Sequence, residues 1–163
     1  MTDLAGLIEK HRANGLLIDT NVFVLYLVGK TNESRIARFD RTQSYTAGDF
    51  TILDRLVAQF RTIVTTPHVL TEVSNLAKLH GREMERLRSK FREIVQRSQE
   101  LYEESRGLMT DAAFPRLGLT DAAIAVVSQR KMLVVTDDLD LYVTLEKRGV
   151  DAVNFNHIRT YAW

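Results

Sequence analysis

Short apolar or β-branched runs alternate with helical stripes along the whole chain, and that alternation leaves few folds open. Leu16-Leu17-Ile18, Thr62-Ile63-Val64-Thr65, the run from Met132 to Val135 and the run from Val150 to Phe155 read as strands. Between them, Phe50, Leu53, Leu56, Val57 and Phe60 recur at helical spacing, as do Leu70, Val73, Leu76 and Ala77, and then Leu139, Tyr142 and Leu145. The apolar segment from Val22 to Val28 and the alanine-rich one from Ala122 to Gln129 read as buried helices. Strands alternating with helices of this length require βαβ crossovers, hence an α/β fold with a mostly parallel sheet covered on both faces.

At 163 residues the chain is the size of one domain, and it shows neither an internal repeat nor a linker, so residues 1–163 are expected to form a single unit. Three parts stand out within it. Residues 1–15 carry a helix whose face is Leu4, Leu7, Ile8 and His11, closed by Asn14-Gly15. Residues 30–48 are polar and aperiodic, which predicts a surface insertion or a short irregular helix. Residues 82–106 repeat Met84, Leu87, Phe91, Ile94, Val95, Leu101 and Tyr102 among many charges, which predicts one long amphipathic helix.

With no cysteine, the chain has no disulfide framework, thiolate zinc site or cysteine nucleophile, so any metal must sit on oxygen or nitrogen ligands. The 22 Lys and Arg nearly balance the 21 Asp and Glu, so only local clusters can attract a polyanion. No apolar stretch approaches the ~18 residues of a membrane span, and a soluble cytoplasmic protein is expected.

In a parallel sheet, ligands bind beyond the carboxyl ends of the strands, near the point where strand order reverses. An acid recurs there. Asp19 follows the first strand, Glu72 sits in the opening turns of the helix after the second, Asp121 opens a later helix, and Asp137 and Asp138 follow the run ending at Val135. Singly, each complements a helix N-terminus. Together they would crowd one pocket, and several carboxylates without a basic partner are suited to a hard cation such as Mg²⁺ or Mn²⁺. Such an ion lowers the pKa of a bound water and stabilises charge on a phosphodiester under attack, which is the chemistry of a metal-dependent nuclease.

The runs Leu16-Leu17-Ile18-Asp19-Thr20-Asn21, Thr71-Glu72-Val73, Leu119-Thr120-Asp121-Ala122-Ala123-Ile124 and Val134-Val135-Thr136-Asp137-Asp138 resemble, in order, the four acidic motifs of PIN-domain nucleases. The resemblance spans most of the chain. It implies a Rossmann-like three-layer sandwich with a central sheet of four to five strands, a Mg²⁺ or Mn²⁺ site, and endonucleolytic cleavage of single-stranded RNA. Many small members are VapC-type toxins held inactive by an antitoxin protein, so an antitoxin is an implied partner, and the expected assembly is a homodimer. Carried over, Asp19, Glu72 and Asp121 match the first three acidic positions; the fourth falls on Asp138 ahead of Asp137, with Asp140 a distant third. Asn21 and Thr136 match polar positions that orient the first and fourth carboxylates by hydrogen bonds. The segment before Leu16 and the stretch 30–48 exceed the minimal pattern.

An RNA path is expected along Arg82, Arg86 and Lys90, which share one edge of the long helix, with a solvated face balanced by Glu83, Glu85 and Glu93 as the plainer alternative. A second reading of the whole is a catalytically silent module that binds protein or RNA. A phosphotransfer domain would need a lysine beside the acids. The four histidines show no ligand spacing, and there is no glycine-rich phosphate loop.

Overall fold

The computed structural model describes residues 3–161. Its order is α1 (Leu4–His11), β1 (Leu16–Ile18), α2 (Thr20–Thr31), a 3-10 turn (Glu33–Arg38), α3 (Ala47–Val57), β2 (Ile63–Thr65), α4 (Pro67–Leu76), α5 (Gly81–Arg97) and β3 (Gln99–Glu100). There follow α6 (Ser105–Leu108), α7 (Phe114–Leu117), α8 (Leu119–Val127), β4 (Leu133–Thr136), α9 (Leu139–Lys147), β5 (Ala152–Asn154) and α10 (Phe155–Tyr161).

The five strands form one sheet in the order β3-β2-β1-β4-β5, every pairing parallel. Leu16, Leu17 and Ile18 of the central strand are fully buried, as expected for a strand with helices on both faces. Helices α3, α4 and α5 pack against α2, while α6, α7 and α9 pack against α8, giving the layers of a Rossmann-like sandwich. From β1 the chain builds outward through β2 to β3, then returns to place β4 on the other side of β1. The order therefore reverses between β1 and β4, and the crevice at their carboxyl ends is the topological switch point.

Local chemistry accounts for the element boundaries near that crevice. Asp19 caps α2 by accepting from the Thr20 amide, Thr66 caps α4 with Pro67 in the first turn, and Asp138 caps α9. Helix α2 is buried from Val22 through Gly29, which leaves no polar face to read from its pattern. Gly29 lets α3 approach closely: a Cβ there would lie 2.1 Å from the Phe50 ring.

Several expectations are corrected. The long helix of residues 82–106 ends at Arg97, and the chain then enters edge strand β3, whose side chains are exposed. Ser98 stops the helix by turning extended, with its hydroxyl donating to the Ile94 carbonyl. The main chain of Gln99 and Glu100 pairs with Val64 and Thr65, a role that polar edge residues do not advertise. The helix expected within residues 1–15 spans Leu4–His11, and residues 1 and 2 lie outside the described residues. Residues 30–48 do hold a short irregular helix, the 3-10 turn Glu33–Arg38, but the stretch is not confined to the surface: α2 continues to Thr31, and Ile36, Thr42 and Tyr45 are buried, with the Thr42 hydroxyl donating to the Ile36 carbonyl. Leu139 is 58% exposed, so the buried face of α9 runs instead through Leu141, Tyr142, Thr144 and Leu145. His11 is buried beside Asp151, with Nε2 2.7 Å from a carboxylate oxygen. Among the described residues, no helix is long and apolar enough to cross a membrane.

Candidate functional site

Asp19 leaves the end of β1 with its main-chain amide donating to the Val135 carbonyl of β4, so its carboxylate starts inside the switch-point crevice. Only 6% of the residue is exposed. One oxygen accepts from the Thr20 amide at 2.7 Å and the other from the Thr136 hydroxyl at 2.5 Å, which fixes its orientation. Burial pushes the Asp19 carboxyl up to about 6; the hydrogen bonds from Thr136 and Thr20 oppose this, and the charges of Asp137 and Asp138 add to it.

Asp121 occupies the first turn of α8. Its carboxyl is pushed up to about 8, first by burial and then by the charges of Asp19, Asp138, Glu72 and Asp137, in that order. The sheet thus brings all five sequence-predicted acids into one electrostatic neighbourhood around Asp121. Glu72, exposed on α4, is tied to the floor of the crevice by the Thr20 hydroxyl, which donates to Oε2 at 2.9 Å. The N-termini of α2, α8 and α9 open beside these acids, and their dipoles partly offset the repulsion at ~0.3–1 kcal/mol each.

The two neighbouring acids after β4 have different surroundings. Asp138 is exposed, and its Oδ1 accepts from the amides of Asp140 and Leu141 as the cap of α9. Asp137 Oδ2 accepts from the Tyr45 hydroxyl at 2.6 Å, while its Oδ1 is buried without a hydrogen-bond partner among the described residues. Burial, and then the hydrogen bond and charge of Asp137, hold the Tyr45 phenol well above its ordinary range, so it remains a donor. Asp140 serves mainly through its backbone, donating its amide to Asp138 and accepting from the Thr144 hydroxyl at its carbonyl.

Of the two polar residues expected to orient the carboxylates, Thr136 does so: it donates to Asp19 and accepts from the Asp138 amide at 3.0 Å, linking the first and fourth motifs. Asn21 does not, because its side chain is exposed on α2 and makes no hydrogen bond among the described residues. The side-chain hydrogen bond expected of it on Asp19 comes from Thr136 instead, while Thr20, one residue back and buried, orients the second acid, Glu72, through its hydroxyl. The Asp-Thr-Asn run placed a polar side chain at each position, and the turn into α2 decides which one faces inward. Tyr45 had no local signal, lying 92 residues from its partner in sequence.

The basic edge of α5 divides. Arg82 and Arg86 are exposed, and Arg86 acts on Glu83, whose carboxylate also holds Arg35. Lys90 pairs with Glu93 at 2.8 Å and lines a groove with Thr62 and Ile63, where β2 begins. That is the amino end of the parallel sheet, so Lys90 stands away from the carboxylates.

Among the described residues, no three His, Asp or Glu side chains are gathered as a ready-made metal-holding group. The charged groups that share the crevice are carboxylates, whose oxygens are the ligand type of Mg²⁺ and Mn²⁺. Buried Asp19 and its crowded neighbour Asp121 are the two whose ionisation a cation would favour most.

No protein-family model matches the chain, and no curated protein matches it. Among solved structures, the chain is similar to the crystal structure of PAE2754 from Pyrobaculum aerophilum, with a TM-score of 0.53 at 14% sequence identity, over 90% of this chain and 93% of that one. That likeness, together with the all-parallel sheet, establishes a Rossmann-like α/β sandwich.

Proposed function

We propose that this chain is a divalent-metal-dependent endoribonuclease that cleaves phosphodiesters of single-stranded RNA. The observation that carries the reading is the convergence of carboxylates at the switch point: Asp19, buried and oriented by Thr20 and Thr136, Glu72 held by the Thr20 hydroxyl, and Asp121, whose carboxyl is pushed up to about 8 by burial and by those acids. A purely structural cap would sit among amides and cations. A carboxylate placed among carboxylates is stabilised by a cation, and perturbed acids in a crevice mark functional sites. The substrate class comes from the four-motif resemblance, which also makes an antitoxin partner and a cytoplasmic setting part of the proposal.

Asp19, Glu72 and Asp121, with Asp137 or Asp138, would hold Mg²⁺ or Mn²⁺, which when bound supplies a water of lowered pKa and neutralises charge at the scissile phosphate. Asp19 is the fixed point of the set, because Thr20 and Thr136 occupy one lone pair on each of its oxygens and set the plane of the carboxylate. Asp121 carries a proton near neutrality in the cation-free protein and releases it when a cation binds, so affinity rises with pH up to about 8. The helix N-termini of α2, α8 and α9 contribute fixed positive potential toward an incoming phosphate.

The test is to incubate the purified protein with a mixed RNA pool, with Mn²⁺ and separately with EDTA, and to map the new ends. Ends that appear with Mn²⁺ and not with EDTA are expected. Equal cleavage in EDTA, or no new ends in either, contradicts the proposal.

A further inference from the structure

We infer that Tyr45 is a positioning residue that holds Asp137 in the acidic crevice, so that residues 30–48 complete the site and Asp137 supplies its fourth carboxylate. The inference rests on the metal-site reading above and adds a residue and a segment to it.

The geometry leaves Tyr45 little freedom. The residue is 5% exposed, and its ring lies tilted against Phe155 with centroids 5.9 Å apart. The Arg159 guanidinium carbon lies 4.9 Å from the ring centroid. Arg159 is itself anchored, 3.3 Å from an Asp49 carboxylate oxygen and donating to the Ser44 carbonyl. Asp49 in turn accepts from the Thr46 amide in the capping box that starts α3. The hydroxyl therefore meets Asp137 from a ring contacted by two side chains, at the close of an insertion whose other buried residues are Ile36 and Thr42.

Asp137 is restrained from its main chain as well, since the Asn156 side-chain amide donates to its carbonyl at 3.2 Å. With Oδ2 engaged by Tyr45, the buried Oδ1 is a strong acceptor without a partner among the described residues. A buried acceptor left in that state is costly unless something satisfies it, and a hard cation is the partner the surrounding donors suit. Asp137 acts electrostatically on both Asp19 and Asp121, which puts its carboxylate in their neighbourhood. Asp138 also acts on both but uses Oδ1 to cap α9. The two adjacent acids thus divide the work, one ending the turn and the other held toward the crevice by a residue from a distant segment.

The experiment is a calorimetric titration of the full chain with MnCl2, comparing wild type, Tyr45→Phe, Asp137→Asn, Asp138→Asn and the double variant Tyr45→Phe/Asp137→Asn. Phenylalanine keeps the ring between Phe155 and Arg159 and removes only the hydroxyl. The expected result is a loss of about 10-fold or more in Mn²⁺ affinity for Tyr45→Phe, the size found for residues that orient a ligand. Asp137→Asn should weaken binding more than Asp138→Asn, and the double variant should bind like Asp137→Asn alone, because the hydroxyl acts only through that carboxylate. Melting in EDTA checks that each variant is folded. Unchanged affinity in Tyr45→Phe, or a loss that persists in the Asp137→Asn background, overturns the inference while leaving the metal site in place. A wild-type protein that takes up no Mn²⁺ removes the metal-site reading and the inference with it.

Discussion

Replacing Asp121 by Asn should stabilise the cation-free protein, and by an amount that depends on pH. The carboxyl of Asp121 moves from an ordinary 3.8 to about 8 on folding, so between those values the folded state holds more protons than the unfolded one. Stability must therefore fall as pH rises through that window and level off above about 8. At about 1.4 kcal/mol per pH unit, the full displacement would cost the fold about 6 kcal/mol at high pH. Solvent at the mouth of the crevice, and the sharing of one repulsion among several acids, reduce this to ~2–3 kcal/mol. For a domain of this size that corresponds to roughly 5–10 °C in melting temperature. Thermal melts in EDTA from pH 4 to pH 8.5 should show the advantage of Asp121→Asn over wild type growing with pH, smallest at pH 4, where the unfolded-state carboxyl is only partly ionised, and largest at pH 8. A smaller slope between about 4 and 6 should persist in the variant, since Asp19 titrates at about 6. Added Mn²⁺ should raise the wild-type melting temperature at pH 8 and leave the variant nearly unmoved. A melting temperature of Asp121→Asn below wild type at pH 8, or a wild-type melting temperature that does not fall with pH, would refute the electrostatic reasoning.

Other changes probe the framework. Gly29→Ala should destabilise the fold by about 1–3 kcal/mol in urea, because the new methyl would lie 2.1 Å from the Phe50 ring; no measurable loss would mean that α2 and α3 pack less tightly than described. Thr136→Val keeps the shape of a buried side chain but removes the donor to Asp19 and the acceptor for the Asp138 amide, and should cost ~1–3 kcal/mol together with a loss of Mn²⁺ affinity in calorimetry. For RNA held along α5, Lys90→Gln alone should leave the salt dependence of filter binding unchanged, since Lys90 lies at the amino end of the sheet. Replacing Arg82 and Arg86 by Gln should flatten that dependence by up to ~1.4 log-log units, at ~0.7 for each phosphate contact. A flattening by Lys90→Gln of the same size would relocate the RNA path.

The acids that a sequence reader can place are those whose position follows from local rules. Asp19, Glu72, Asp121 and Asp138 each stand at a βα junction, where apolar run, cap and helix stripe occur within a few residues, and parallel strands then bring those junctions together without further information. What stayed hidden has a physical reason in each case. Strand β3 is two exposed polar residues whose only strand-like property is main-chain pairing to β2, so a hydrophobic pattern runs past it and merges it with α5. Thr20 rather than Asn21 faces the crevice because of how the turn enters α2, a matter of a single residue's rotation. Tyr45 sits in a segment built from a 3-10 turn and loops, where neither a period of 3.6 nor one of 2 applies, and its partner Asp137 is set by tertiary packing. Leu139, with 58% of its surface exposed, falls at an apolar position of the pattern but sits in the first turn of α9, before the helix meets the sheet.

The central claim is that these carboxylates form one cation-dependent site that cuts RNA. Its most direct test is single-turnover cleavage of an end-labelled single-stranded RNA by wild type, Asp19→Asn and Asp121→Asn in Mn²⁺, with melting curves recorded on the same preparations. Cleavage by wild type that is abolished in both variants, while each melts at or above the wild-type temperature in EDTA at pH 8, is the predicted result. Cleavage at wild-type rates in either well-folded variant would contradict it.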